Sequence, residues 1–179
     1  CSRPFDTVLI DKMGSCYACE CTAWLPQSMG NLHTKSLSDI LKSVMAGQLR
    51  DSISDGSYRY CNQKQCMYLL DLSRVPWENE TPEQALKEIR LAIDDSCNLA
   101  CPSCRTQRVF IKKGKMMTMR LALMDRVVEY IRGHRGPLNI HIGSDGDPFA
   151  SLVYRYFMRN VPTQHNLSYT FLSLIHISE

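Results

Sequence analysis

Nine cysteines lie in 179 residues, at positions 1, 16, 19, 21, 61, 66, 97, 101 and 104. An odd count excludes complete disulfide pairing within one chain, and the tight clusters suit metal ligation better than long-range stapling. The sharpest run is Cys97-Asn-Leu-Ala-Cys101-Pro-Ser-Cys104. Three thiolates in one short loop can hold three irons of a 4Fe–4S cube, a group that usually takes four cysteines. The fourth iron is then open to a small ligand, much as an open coordination position marks a catalytic zinc. Cys1, Cys16, Cys19, Cys21, Cys61 and Cys66 form a second set. On residue type alone, zinc remains open for both sets.

Hydrophobic periodicity shows what must position these thiols. Phe5 to Asp11 reads as a strand, Lys12 to Ser15 as a turn, and Cys16 to Thr22 as a returning strand on which Cys19 and Cys21 share a face. From Ser36 a helix is predicted, with Leu37, Ile40, Leu41, Val44 and Met45 on one side. Residues 72–86 hold two prolines and no periodic apolar pattern, and read as a linker between a unit at 1–71 and another at 87–179. The second unit alternates. A strand with Ile89, Leu91 and Ile93 on one face leads into the three-cysteine loop. A helix over 118–132 follows, with Leu121, Met124, Val128 and Ile131 inward. Next come a strand at Leu138, Ile140 and Ile142, a helix from Ser151 to Asn160, and a strand from Leu167 to about Leu174. This order implies a parallel sheet or barrel.

Composition narrows the function classes. A 44% hydrophobic and 22% charged chain has the makings of a core, and a net charge of +3 does not argue for nucleic acid. No apolar stretch reaches membrane-spanning length, and no secretory signal is visible, so a reducing, cytoplasmic setting is expected. Arg105, Arg108, Lys112, Lys113, Lys115 and Arg120 read as a solvated basic stretch or as a surface for an acidic substrate. Asn139 and His141 should point away from the apolar face of their strand.

The segment Ile93-Asp-Asp-Ser-Cys-Asn-Leu-Ala-Cys-Pro-Ser-Cys-Arg105 and its βα setting resemble the radical SAM superfamily. The loop Gly143-Ser144-Asp145-Gly146-Asp147-Pro148 looks like that family's glycine-acidic-proline segment, which meets the amino group of S-adenosylmethionine (SAM). The resemblance implies a partial (β/α) barrel and a 4Fe–4S cluster on Cys97, Cys101 and Cys104. It implies reductive cleavage of SAM to a 5′-deoxyadenosyl radical, which abstracts hydrogen from a substrate. In this picture Asp147 pairs with the ligand's ammonium. The sequence departs from the pattern at Ser103, where an aromatic residue is common, and at Asp147, where glutamate is more usual.

The first 70 residues resemble the SPASM or twitch extension of the same enzymes, through Cys19-Glu-Cys21-Thr-Ala-Trp-Leu-Pro, Gly30-Asn-Leu, Ser36-Leu-Ser-Asp-Ile and Gly56-Ser-Tyr-Arg-Tyr-Cys61. That resemblance implies an auxiliary 4Fe–4S cluster on Cys1, Cys21, Cys61 and Cys66, with Cys19 the rival to Cys21. Cys16 has no partner in the pattern.

The expected fold class is therefore α/β: a truncated partial barrel preceded by a small α+β cysteine-rich domain. Cys1 in place of a Met start marks the chain as a fragment or processed product. Residues 173–179 look like adapter read-through, and an open sheet edge is expected. Implied partners are SAM, a peptide or protein substrate, and a reductant such as flavodoxin or ferredoxin. The rivals are a zinc-stabilised interaction module, including a zinc ribbon on Cys16, Cys19, Cys61 and Cys66, and an electron-carrying iron–sulfur protein.

Overall fold

The computed structural model describes residues 1–20, 22, 25, 27–70, 86–143 and 145–173. Cys21, Ser144, residues 72–85 of the expected linker and residues 174–179 lie outside them. The elements are α1 (Arg3–Asp6), β1 (Thr7–Asp11), β2 (Ser15–Tyr17), β3 (Gly30–Asn31), α2 (Leu37–Leu41), α3 (Val44–Ser54) and α4 (Met67–Leu70). Then follow β4 (Glu88–Ala92), α5 (Lys115–Gly133), β5 (Leu138–Ile142), α6 (Leu152–Asn160) and β6 (Leu167–Phe171).

All six strands form one sheet in the order β3-β2-β1-β4-β5-β6. The first three pair antiparallel, while β1, β4, β5 and β6 run parallel. The sheet is therefore mixed, and its N-terminal strands are not a separate small layer. β1 lies beside β4, with Val8 opposite Ile89 and Ile10 opposite Leu91. The reason is in the strand itself. Thr7, Val8, Leu9 and Ile10 are all buried, which suits an interior strand paired on both sides, with β2 and β4.

Register sorts the parallel strands into two faces. Val8, Ile89 and Ile140 form one row, and Ile10, Leu91 and Ile142 the next, all fully buried. They share a core with Leu123, Val127 and Ile131 of α5 and with Val153, Tyr154 and Phe157 of α6. The opposite face carries Leu9, Arg90, His141 and Thr170 in register. The inward stripe of α5 centres on Leu123 and Val127, beside the expected Met124, Val128 and Ile131; Leu121 is only half-buried.

Two elements differ from expectation. The helix predicted from Ser36 breaks at Lys42–Ser43, because Ser43 turns its hydroxyl to cap α3 at the Ala46 amide (3.2 Å). Val44 is consequently 80% exposed instead of facing the core. β2 ends at Tyr17, so Cys19 lies past the strand and shares no strand face with another cysteine.

Candidate metal centres

The three-cysteine loop leaves the C-terminal end of β4. Its root is held by a buried polar network. Tyr154 accepts from the amides of Ile93 (3.1 Å) and Asp94 (3.3 Å) and donates to the Leu91 carbonyl (2.8 Å). Asp94, fully buried, accepts from Arg120 and from the hydroxyls of Ser151 and Ser96. Arg120 also reaches Asp95 at 2.7 Å, and Lys12 reaches Asp95 at 3.2 Å. Burial pushes the Asp95 carboxyl up, but hydrogen bonds from Arg120 and Lys12 outweigh it and hold the group below its ordinary range. Arg120 is thus no part of a solvated basic stretch: it is 2% exposed. Arg108, Lys112, Lys113 and Lys115 are exposed, as a solvated stretch requires.

Beyond the root, the Cys97 amide donates to the Val109 carbonyl (2.8 Å), pinching the loop shut. A turn follows in which the Cys104 and Arg105 amides both donate to the Cys101 carbonyl (2.9 Å each). Cys97 is buried, Cys101 half-buried and Cys104 exposed. Two sulfurs already accept hydrogen bonds: Cys97 Sγ from the Leu99 amide and Cys104 Sγ from the Arg105 guanidinium, each at 3.4 Å. Such donors are the outer partners that orient a metal-binding sulfur.

The glycine-acidic loop after β5 lies on the same rim. The Asp147 amide donates to the Ser96 carbonyl (2.9 Å). Arg105 ties the loops together, donating to the carbonyls of Asp95 (2.6 Å) and Asp145 (2.5 Å). Gly146 is dictated by this approach: a Cβ there would sit 2.6 Å from the Ser96 carbonyl oxygen and 2.8 Å from that of Asp94. Gly143 has φ 112°.

Asp147 does not present its carboxylate to a ligand. It is 2% exposed and accepts from the amides of Phe149 (2.8 Å) and Ala150 (3.1 Å) and from the Ser173 hydroxyl (2.7 Å). It closes the turn after the loop, as short acidic side chains do. Asp145 faces outward instead. Burial pushes its carboxyl up, and nearby Lys12 and Arg105 offset this only in part.

At the N-terminal end, Cys1, Cys19, Cys61 and Cys66 line one cavity with Arg3, Pro4, Leu25, Ile53, Tyr58 and Leu69. Local turns bring them there. The Cys61 amide donates to the Tyr58 carbonyl (2.8 Å), and the Cys66 amide to that of Asn62 (2.9 Å). Burial, reinforced by neighbouring Cys66 and Cys19, raises the Cys61 thiol to about 11. Cys16 stands apart. Its sulfur is fully buried in the core, donates to the Gly14 carbonyl, and is raised by burial to about 12. A ribbon on Cys16, Cys19, Cys61 and Cys66 is therefore not assembled. Among the described residues, no three His, Cys, Asp or Glu side chains converge closely enough to hold a single metal ion.

Between the two sites, a pocket of about 460 Å³ lies over the open face of the sheet. Leu9, Asp11, Arg90 and His141 form its floor, with Glu20 and Asp145 at its walls. Glu20 follows Cys19, and Asp145 belongs to the loop seated against Ser96, so the pocket borders both cysteine regions. His141 lines it, as its place on the strand implies, whereas Asn139 is engaged with the Thr170 hydroxyl (3.1 Å). Sequence reading passed over Arg3, Glu20 and Arg90; only the alternation of Arg90 with Ile89 and Leu91 signalled that Arg90 faces this side.

Among the described residues no helix is long and apolar enough to cross a membrane. Comparison with known proteins finds that residues 1–67 match the SPASM family model, described as an iron–sulfur cluster-binding domain. No curated protein and no solved structure matches the chain. Residues 1–67, which contain all four cysteines of the N-terminal cavity, are thus supported as a SPASM-type iron–sulfur cluster-binding domain.

Proposed function

We propose that the chain carries the cluster-binding and SAM-binding parts of a radical SAM enzyme. The observation that carries this reading is the single rim shared by the three-cysteine loop and the glycine-acidic loop, joined by Arg105 and by the Asp147–Ser96 backbone hydrogen bond. Cys97, Cys101 and Cys104 would hold a 4Fe–4S cluster with one iron open. When bound, that cluster supplies the electron that cleaves SAM to methionine and a 5′-deoxyadenosyl radical. The residues fit the group: three thiols on one loop, two of them already accepting N–H donors. Asp145 is the better candidate to meet the ligand's ammonium, because the Asp147 carboxylate already accepts from the Phe149 and Ala150 amides and the Ser173 hydroxyl. The sheet pocket is the natural place for the substrate, which the family resemblance suggests is a peptide or protein. Cys104, exposed and next to Arg105, suits electron delivery by a flavodoxin or ferredoxin.

Cys1, Cys19, Cys61 and Cys66 would hold the auxiliary cluster. A tetrahedral zinc with Zn–S bonds of about 2.3 Å needs its sulfurs drawn within about 4 Å of one another. These thiols line one cavity but do not converge on a single-ion site, so we favour an iron–sulfur cluster, as the SPASM match suggests. The test is anaerobic reconstitution of the chain. About eight irons and eight sulfides per chain are expected, falling to about four of each in C97A/C101A/C104A. Release of 5′-deoxyadenosine from SAM under reduction tests the chemistry. One zinc per chain without iron, or iron content indifferent to the triple substitution, refutes the reading.

A further inference from the structure

We infer that Arg90 is the positioning residue of the N-terminal cysteine site, acting through a closed ring of alternating charge that seats Cys19 as one of its thiolates. This rests on the reading of that cavity as a cluster site. The ring has four members. Arg3 Nη1 donates to Glu88 Oε2 at 2.6 Å, and Arg90 Nε donates to Glu88 Oε1 at 2.8 Å. Arg90 Nη1 pairs with Glu20 Oε2, and Arg3 Nη2 lies 4.0 Å from Glu20 Oε1. Each carboxylate spends one oxygen on each arginine, so the ring is neutral and each glutamate separates the two like charges.

Its placement links the cavity to the sheet. Glu88 and Arg90 stand on the open face of β4, fixed by parallel pairing to Thr7 and Leu9 of β1. Arg3 lines the cysteine cavity, and Glu20 directly follows Cys19. β2 has ended at Tyr17, so the strand ladder does not hold Cys19. What fixes its neighbour is the Glu20 carboxylate gripped by Arg90. The four side chains are only 19–30% exposed, so water screens the pairs weakly. Outer-shell partners of this kind orient metal ligands, and losing one typically costs about 10–100-fold in metal affinity.

The test uses the whole chain in a C97A/C101A/C104A background, so that the N-terminal site is the one loaded. Iron per chain and the rate at which a chelator bleaches the visible absorption are read after anaerobic loading. C19S should lose the cluster. R90Q should bleach roughly tenfold faster or more. R90K, which keeps the charge but cannot fork between two carboxylates, should fall between. A role in folding alone would lower the melting temperature of R90Q and R90K while iron per folded chain and the bleaching rate stayed those of the parent. The inference is overturned if R90Q and R90K bleach like the parent, or if C19S keeps the cluster. A parent that takes up no iron overturns both this inference and the cluster reading beneath it.

Discussion

Arg120→Met isolates what the buried network at the root of the three-cysteine loop contributes. Arg120 is 2% exposed and Asp94 fully buried, and the arginine serves both Asp94 and Asp95. Methionine keeps length and apolar stem but removes the charge. Breaking one side of a buried ion pair costs about 3–5 kcal/mol, because the remaining charge is stranded. Here Asp94 keeps the Ser151 and Ser96 hydroxyls, and Asp95 keeps Lys12, so the lower end, about 3 kcal/mol, is expected. For a chain of this size that lowers the melting temperature by about 6–12 °C. It moves the urea midpoint down by about 1.5 M if the slope is about 2 kcal/mol/M. Urea unfolding followed by circular dichroism measures it. Adding Asp94→Asn removes the stranded charge and should recover about half the loss. A solvated arginine would cost no more than about 1 kcal/mol. A midpoint shift under about 0.5 M, or a double variant no better than the single, would refute the buried-pair account.

Gly146→Ala should destabilise by about 2–3 kcal/mol, since the new Cβ meets backbone atoms of Ser96 and Asp94 that cannot step aside; thermal melting checks it. Thiol alkylation near pH 8 should modify Cys104 rapidly and Cys16 last, because Cys16 is fully buried with its thiol raised to about 12; mass mapping of the labelled chain reads the order. Asp95 titrates below its ordinary range in the fold, so its stabilising contribution is present above the unfolded value of about 3.9 and fades as pH falls through the folded value. Acid unfolding of Asp95→Asn should therefore begin from lower stability but show a shallower fall below about pH 4 than the parent.

The positions of the three-cysteine loop and the glycine-acidic loop were legible because their signals are local. A C-x3-C-x2-C run after a strand and a glycine-acidic loop one βα unit later need no long-range information, and β5, with alternating Leu138, Ile140 and Ile142, reads straight off the sequence. What could not be read were the contacts that join distant segments. Arg120 follows the exposed Lys112, Lys113 and Lys115 in sequence, and only folding brings it to Asp94, 26 residues away. Asp147 and Asp145 are equivalent by residue type; the turn amides at Phe149 and Ala150 decide which one is consumed. The placement of β1 had a signal that went unused. Thr7 to Ile10 is continuously apolar but for one threonine, the pattern of an interior strand that pairs with β4 as well as with its hairpin partner β2. Cys19 past the end of β2 was missed because the segment's β-propensity gives no hint that the ladder stops at Tyr17.

The parallel seam between Val8–Ile10 and Ile89–Leu91 makes the N-terminal domain non-transplantable. Excising it at the boundary that its family match suggests would strip one flank from β4 and leave a row of amides and carbonyls there without partners. The strand that delivers Cys97 would then become an edge, prone to zip against a second copy of itself.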